Sequence, residues 1–267
     1  MSGVRVWVET VELLGPGLPS WDAAKPVLSG ERPYVAAEPD LPPPAQLSPA
    51  ERRRAIPSVR LALAVGALAV ARSGLDPASL PAVFASSGAD GETIGAVLSA
   101  LALPSREVSP TRFHNSVHNA PSGYWSLAVR SREPVNSLSA HDGSFAAGLL
   151  EAAVQAACGN GPVLLVAYDL PYPEPLRGVR PLGASFGTAL ILSPAPSGRS
   201  LAGLHIIGAA ISAEQATRCA DPGLEQLRRG NPAARCLPLL AGIAAQRPGP
   251  VHLELAQSGL DVAVLPC

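Results

Sequence analysis

A hydroxyl, an imidazole and a carboxylate lie within four positions of one another in this chain, at Ser139, His141 and Asp142. These are the chemical groups of a nucleophile, a general base and a residue that orients the base. An acyl hydrolase or an acyl-editing enzyme could use them. Side chains so close on one turn point apart, however, so a working triad would need a further group from elsewhere in the chain. Hydrolysis therefore remains an alternative function.

The segment from Pro134 to Leu150 (PVNSLSAHDGSFAAGLL) must position these residues. Val135 to Ser139 is short, β-branched at its start and alternating, which predicts a strand. From Ser144 on, small residues predict a helix that can pack closely on a sheet. The apolar run from Pro162 to Tyr168 predicts a strand buried on both faces. Together these elements predict a right-handed βαβ unit with a tight elbow after its first strand.

The elbow resembles the nucleophile elbow of β-ketoacyl synthases, whose pattern is roughly S-x-S-x-A-C-A-[ST]. When this pattern is laid on Ser137 to Ser144, its cysteine falls on Asp142, flanked by His141 and Gly143. A carboxylate is a poor substitute for the thiolate that carries an acyl chain. The resemblance therefore implies a degenerate nucleophile position and no catalytic residue. At a helix N-terminus, Asp142 is expected to act as an N-cap.

A second landmark precedes the elbow, in the segment Ser109 to Leu127 (SPTRFHNSVHNAPSGYWSL). Its motif F-H-N-S-V-H-N-x-x-x-G-Y-W resembles the ketosynthase-like chain-length-factor proteins of aryl polyene and xanthomonadin-type pigment clusters. In that family this part of the chain lies near the dimer interface and the acyl tunnel. The resemblance assigns this place to Phe113, His114, Asn115, His118, Asn119, Tyr124, Trp125, Asn136, Ser137 and Ser139. If Tyr124 or Trp125 anchors the partner, its truncation to alanine should cost about 2 kcal/mol or more of association.

The patterns that active β-ketoacyl synthases carry in their second half do not occur in this sequence. The family places two histidines there, in patterns such as H-G-T-[GA]-T and a G-G-x-N segment, and commonly a lysine. After the elbow this chain has no lysine and only two histidines, His205 and His252. His252 and Glu254 share one face of a hairpin strand and are expected to be exposed.

The resemblance implies an α/β fold of thiolase-like (ketoacyl synthase) type, reduced to a half-fold. We expect a mixed five-stranded sheet with helices on both faces and a reduced second half. Residues 1–215 would form the ketoacyl-synthase N-terminal-like domain. Residues 216–267 would form a C-terminal extension, a helix plus a β-hairpin, packed on the same domain.

The function that this resemblance implies is that of a non-catalytic, chain-length-factor-like subunit. It would form a heterodimer with an active β-ketoacyl-ACP synthase in aryl polyene, polyketide or fatty-acid-type chain elongation, and would not be active alone. Acyl carrier protein would bind through the complex. Arg52, Arg53 and Arg54 could contact the phosphopantetheine of a carrier protein, although a solvated helix face is the simpler interpretation of three consecutive arginines.

Composition excludes several other functions. The net charge is −1, with 20 basic and 21 acidic residues, so nothing indicates nucleic acid binding. The four cysteines have no C-x-x-C spacing, and the pair His114 and His118 has no third ligand nearby, so no metal or other cofactor is expected. There is no signal-peptide pattern, and the longest apolar runs, such as Leu61 to Ala71, are too short to span a bilayer. A soluble cytoplasmic protein is expected.

Overall fold

The structure, a computed structural model, describes residues 3–159, 161–209, 215–255 and 258–267. The strands in these ranges are β1 Val4–Leu14, β2 Ala82–Ala85, β3 Val135–Leu138, β4 Val163–Asp169, β5 Phe186–Ser193, β6 Ala202–Ala209, β7 Gly249–Glu254 and β8 Gly259–Pro266. They form one mixed sheet in the order β3-β2-β4-β5-β1-β6-β8-β7. Strand β2 is parallel to both of its neighbours, β3 and β4, and the remaining neighbours are antiparallel.

Helices cover both faces of this sheet. The α-helices of the described ranges are α1 Trp21–Leu28, α2 Pro49–Arg54, α3 Pro57–Ser73, α4 Gly91–Ala102, α5 Pro110–Asn115, α6 Ala120–Val129, α7 Ser144–Gly159, α8 Leu176–Val179, α9 Pro222–Gly230 and α10 Leu237–Ala244. Ser20 caps α1, since its hydroxyl accepts a hydrogen bond from the Ala23 N–H. Gly74 ends α3 at φ 68°, a left-handed conformation that glycine adopts without strain.

The central strand β4 shows how the sheet divides the core. Leu164 and Val166 point to the face covered by α3 and α6, whereas Leu165 and Ala167 point to the face covered by α7 and α10. All seven residues of β4 are buried. A strand buried on both faces needs a continuous apolar run, which is what the sequence from Pro162 to Tyr168 supplies.

The elbow lies inside the predicted βαβ unit. Strand β3 leads through the elbow into α7, and α7 leads back to β4, with β2 lying parallel between the two strands. Helix α7 packs closely, because a Cβ atom at Gly148 would lie 2.7 Å from the Cβ atom of Ala85. The small residues that identified this helix in the sequence therefore serve its contact with the sheet.

The sheet of the described residues has eight strands, more than the five expected from the sequence. Strand β6 pairs with the free edge of β1, and the hairpin of β7 and β8 pairs with β6. The three strands share the apolar cluster of the α7 face, which explains why they extend the sheet. Gln257, in the expected C-terminal β-hairpin, lies outside the described residues. The division of the chain at residue 215 stays a prediction.

None of the helices in the described ranges is both long enough and apolar enough to cross a membrane.

Candidate functional site

The elbow joins the end of β3 to the start of α7 through a 3-10 turn, His141–Gly143. His141 has φ 53°, a left-handed conformation that is strained for a residue with a side chain. Ser144 holds the turn, because its hydroxyl donates to the His141 carbonyl (2.7 Å) and accepts from the Ala140 N–H (3.0 Å). The elbow is therefore a tight and strained turn that presents residues 141 and 142.

Asp142, on which the resemblance places the cysteine of β-ketoacyl synthases, lies between two arginines. Its Oδ1 accepts a hydrogen bond of 2.6 Å from Nη2 of Arg180, and its Oδ2 lies 3.4 Å from Nη2 of Arg235. Within the described residues no N–H group of α7 donates to this carboxylate. The expectation that Asp142 acts as an N-cap is therefore wrong, because two charged donors take its oxygens.

Arg235 links the elbow to the C-terminal hairpin. Its Nη1 forms an ion pair with Oε1 of Glu254, which stands at the end of β7 and is 8% exposed. The sequence-based expectation of an exposed Glu254 is wrong, since this side chain faces the elbow and not solvent. Burial lowers the pKa of the Arg235 guanidinium, although the nearby Asp142 carboxylate opposes this shift. The other residue of that strand face, His252, contacts Asp261 across the hairpin.

A cleft of about 730 Å³ opens at the elbow. It is lined by Ala140, His141, Asp142, Gly143, Arg218, Glu225, Arg228, Arg229, Arg235, Glu254 and Leu255. Arg228 donates two hydrogen bonds of 2.8 Å to the Glu225 carboxylate and, with other donors, holds its pKa below the usual value. The arginines and Glu254 were missed in the sequence, because they lie 38 or more positions from Asp142 and no local pattern connects them.

The hairpin also closes over the elbow at Gly143. A Cβ atom at this position would lie 2.9 Å from Cα of Leu255 and 3.1 Å from the carbonyl oxygen of Glu254. Both are backbone atoms, so a side chain could be accommodated only if the hairpin moved.

Gly143→Ala is expected to lower the free energy of unfolding by about 1–3 kcal/mol, as overpacking in a tight site commonly does. Urea unfolding measures the effect. Gly123→Ala in α6 is the control, because nothing lies within 4 Å of its added Cβ and alanine favours helix. Equal stability of Gly143→Ala and the wild-type chain would contradict the close contact with the hairpin.

The hydrolase alternative requires the Ser139 hydroxyl to be bonded to a base. In the structure this hydroxyl donates to the Ser87 carbonyl at 3.1 Å. The His141 side chain is largely exposed, and its Nδ1 lies 3.6 Å from Oδ1 of Asp142. Among the described residues, Ser139 and His141 form no hydrogen bond with each other. The elbow thus brings the three residues near one another without assembling a nucleophile and its base.

Asp169 is a buried carboxylate behind the elbow. Its Oδ1 accepts hydrogen bonds from the Ser87 hydroxyl (2.7 Å), the Ser87 N–H (2.9 Å) and the Ser86 hydroxyl (3.1 Å). Its Oδ2 has no partner within the described part of the chain. Burial raises the pKa of Asp169 to about 6, and the hydrogen bonds only partly offset this rise.

This pKa makes stability depend on pH in a defined direction. The pKa of Asp169 in the folded chain exceeds its unfolded value of about 3.9. The contribution of Asp169 to stability is therefore full at pH values below about 3.9. It is lost as the pH rises through about 6. We expect Asp169→Asn to abolish this loss. Between pH 5 and pH 7.5 the free energy of unfolding of the wild-type chain should therefore fall relative to that of the variant. Urea unfolding at both pH values measures it, and a constant difference would contradict the raised pKa.

Tyr124 and Trp125 are not on the surface. Both lie in the apolar cluster of the α3 face, and the Trp125 ring packs against Phe84 with centroids 6.3 Å apart. The Tyr124 hydroxyl donates to Oδ1 of Asn115, which is also buried and donates from Nδ2 to the Arg54 carbonyl. The expectation that Tyr124 or Trp125 anchors a partner is wrong, because helix α6 turns them into the core.

Apart from the buried Asn115, the other residues assigned to the interface or tunnel lie at or near the surface. Phe113, His114 and Asn119 are exposed, and the His118 ring contacts the Ser86 carbonyl through Nε2 at 3.2 Å. Around the edge strand β3, Asn136 donates to Glu151, and the Ser137 hydroxyl donates to that of Ser122. No group of three or more His, Cys, Asp or Glu side chains in the described ranges could hold a metal ion.

Two of the three arginines of α2 form contacts within the described part of the chain. Arg52 donates to the carbonyls of Ala45 and Leu47 and so fastens the preceding loop. Arg54 lies 3.7 Å from Glu51 on the same helix. All three arginines are exposed, so a contact with a carrier protein stays a prediction.

The family is established by comparison of the sequence with known families. The profile of the β-ketoacyl synthase N-terminal domain matches residues 28–230, more than half of the chain. The chain belongs to this family. No curated protein matches it in sequence.

Solved structures confirm the thiolase-like ketosynthase fold. A chain from the complex of the ketosynthase ApeO with its chain length factor ApeC, from Xenorhabdus doucetiae, is 22% identical with a TM-score of 0.72. The match covers 97% of this chain and 99% of that chain. A chain from the AntDE:AntF complex, a type II polyketide synthase acyl-carrier protein with its ketosynthase, is 12% identical with a TM-score of 0.75, covering 99% and 100%. A β-ketoacyl synthase from Burkholderia phymatum is 15% identical with a TM-score of 0.60, covering 91% and 71%.

Proposed function

We propose that this protein is a non-catalytic, chain-length-factor-like subunit that pairs with an active β-ketoacyl synthase. The complex would elongate an acyl chain in aryl polyene, polyketide or fatty-acid-type synthesis, in the cytoplasm. One observation carries the proposal: the nucleophile position of the family holds Asp142, whose carboxylate lies between Arg180 and Arg235.

The chemistry of acyl transfer supports this proposal. A ketosynthase needs a thiolate, and burial raises the pKa of the Cys219 thiol to about 12 and that of Cys236 well above its usual value. The cysteines do not line the cleft. His205 lies in the middle of the sheet opposite Arg5, and His252 contacts Asp261, so neither imidazole reaches the elbow cleft. The groups that would bind and activate an acyl thioester are thus not assembled around Asp142.

The surface near the elbow supports pairing with another protein. Among the strands of the described residues, β3 is at the edge of the sheet and pairs with β2 alone. On the segment before it, Phe113, Val117 and Leu127 are large apolar side chains more than half exposed. The complexes of ApeO with ApeC and of AntDE with AntF show that chains of this fold occur in such assemblies. Carrier protein would then be bound by the complex.

Co-expression with a ketosynthase tests the pairing. We expect a stable heterodimer by light scattering after size-exclusion chromatography, and we expect Phe113→Asp to weaken it. Val35→Asp is the matched control, because Val35 is equally exposed (70%, against 69% for Phe113) but lies on the loop after α1. A folded monomer that binds no ketosynthase would contradict the proposal. Ester hydrolysis by the chain alone would instead support the hydrolase alternative.

A further inference from the structure

The elbow cleft has more guanidinium groups than carboxylates. Arg218, Arg228, Arg229 and Arg235 line it, together with three acidic side chains, and Arg180 adds a fifth guanidinium through its bond to Asp142. Each carboxylate is paired: Asp142 with Arg180 and Arg235, Glu225 with Arg228, and Glu254 with Arg235. Within the described ranges, Arg218 and Arg229 form no ion pair. They leave two positive charges facing the same cleft.

A buried donor in the same cleft also lacks an acceptor. The Nε atom of Arg235 is buried and has no hydrogen-bond partner in the part of the chain that the structure describes. A buried N–H group without an acceptor is uncommon in folded proteins, and a bound water or ligand oxygen often supplies the missing bond. The charge surplus favours an oxygen-bearing anion, and the buried Nε–H of the cleft-lining Arg235 is a donor that lacks an acceptor within the described residues.

We infer that the elbow cleft binds a phosphate group, either free phosphate or a phosphate monoester, through Arg218, Arg229 and Arg235. A phosphate carries about two negative charges near neutral pH, which matches the two unpaired guanidinium groups, and its oxygens accept from several donors at once. The cleft suits this ligand better than an acyl chain, because its lining is mostly charged and only Ala140, Gly143 and Leu255 are apolar or small. The inference does not rest on pairing with a ketosynthase, since the cleft is formed by this chain.

Calorimetric titration of the full chain tests the site, with inorganic phosphate and glycerol 3-phosphate as separate probes at constant ionic strength. We expect saturable binding of at least one probe. The double variant Arg218→Gln/Arg229→Gln should weaken it by about tenfold or more, because each arginine donates charged hydrogen bonds. Arg32→Gln is the control, since Arg32 is an exposed arginine on the loop after α1, outside the cleft.

The two probes distinguish the source of the phosphate. Equal affinity would show that the phosphate group alone is recognised, and preference for glycerol 3-phosphate would indicate an organic phosphate ester. Arg218 and Arg229 are exposed, so their replacement should leave the fold intact, which circular dichroism and the unfolding temperature check. The inference is overturned if neither probe saturates, or if the folded double variant binds as tightly as the wild-type chain.

Discussion

Trp125→Ala is expected to lower the free energy of unfolding by about 3–5 kcal/mol, the range for truncating a large buried aromatic side chain. Trp125 is 1% exposed and lies in the apolar cluster between α3, α6 and the sheet. Its ring packs against Phe84, and it approaches α3 so closely that a Cβ atom at Gly66 would lie 3.2 Å from the ring. The cavity left by alanine would therefore be large and lined by rigid elements.

Urea unfolding of the chain alone measures this effect, and two variants control it. Trp125→Phe should lower the free energy of unfolding much less, because an aromatic ring still fills most of the site. The indole N–H that it removes has no partner among the described residues. Phe113→Ala, at an exposed aromatic residue, should change stability by no more than about 0.5 kcal/mol. A stable Trp125→Ala variant that had lost only its association with a partner would restore Trp125 as an interface residue and contradict its place in the core.

Arg235→Met has the second large expected effect, a loss of about 3–5 kcal/mol in the free energy of unfolding. The substitution leaves the Glu254 carboxylate buried without its guanidinium partner, and such an unpaired charge is strongly destabilising. Asp142 keeps its bond to Arg180, so most of the loss should come from the contact between the elbow and the hairpin.

A double-mutant cycle separates the lost ion pair from lost packing. Adding Glu254→Gln to Arg235→Met removes the unpaired charge and should recover part of the stability. Arg229→Met is the matched control on the same cleft, because this arginine is exposed and has no ion pair within the described ranges; its effect should stay within about 0.5 kcal/mol. A loss below about 1 kcal/mol for Arg235→Met would show that the ion pair does not fasten the hairpin to the elbow.

The regular elements were predictable from the sequence because their signals are local. Gly74 ends α3, Ser48 caps α2 by accepting from the Glu51 N–H, and the small residues after Ser144 form α7. The number of strands in the sheet was not predictable, because the pairing of β6 with β1 joins residues about 200 positions apart and has no local signature. Tyr124 and Trp125 were misassigned because a residue's type does not show which side of a helix faces the core.

In the candidate site, too, the local feature was predictable from the sequence and the long-range contacts were not. The elbow between a strand and a helix could be predicted from the sequence, and the structure has it between β3 and α7. The assignment of Asp142 to the nucleophile position rests on the resemblance and stays a prediction. The partners of Asp142 could not be predicted, because Arg180 lies after β4 and Arg235 precedes α10, and only the folded chain brings them together. Charges that compensate each other across such sequence separations are a property of the fold, and the cleft they form is likewise visible only in the structure.

We expect this chain to carry no acyl group during catalysis, and intact-mass analysis of both chains tests this expectation. The heterodimer with a ketosynthase is incubated with an acyl donor, and the mass of each chain is measured after denaturation. We predict an acyl adduct on the ketosynthase chain alone, with the same pattern when Asp142 is replaced by asparagine. An adduct on this chain, at Asp142 or at any of its four cysteines, would contradict the non-catalytic role.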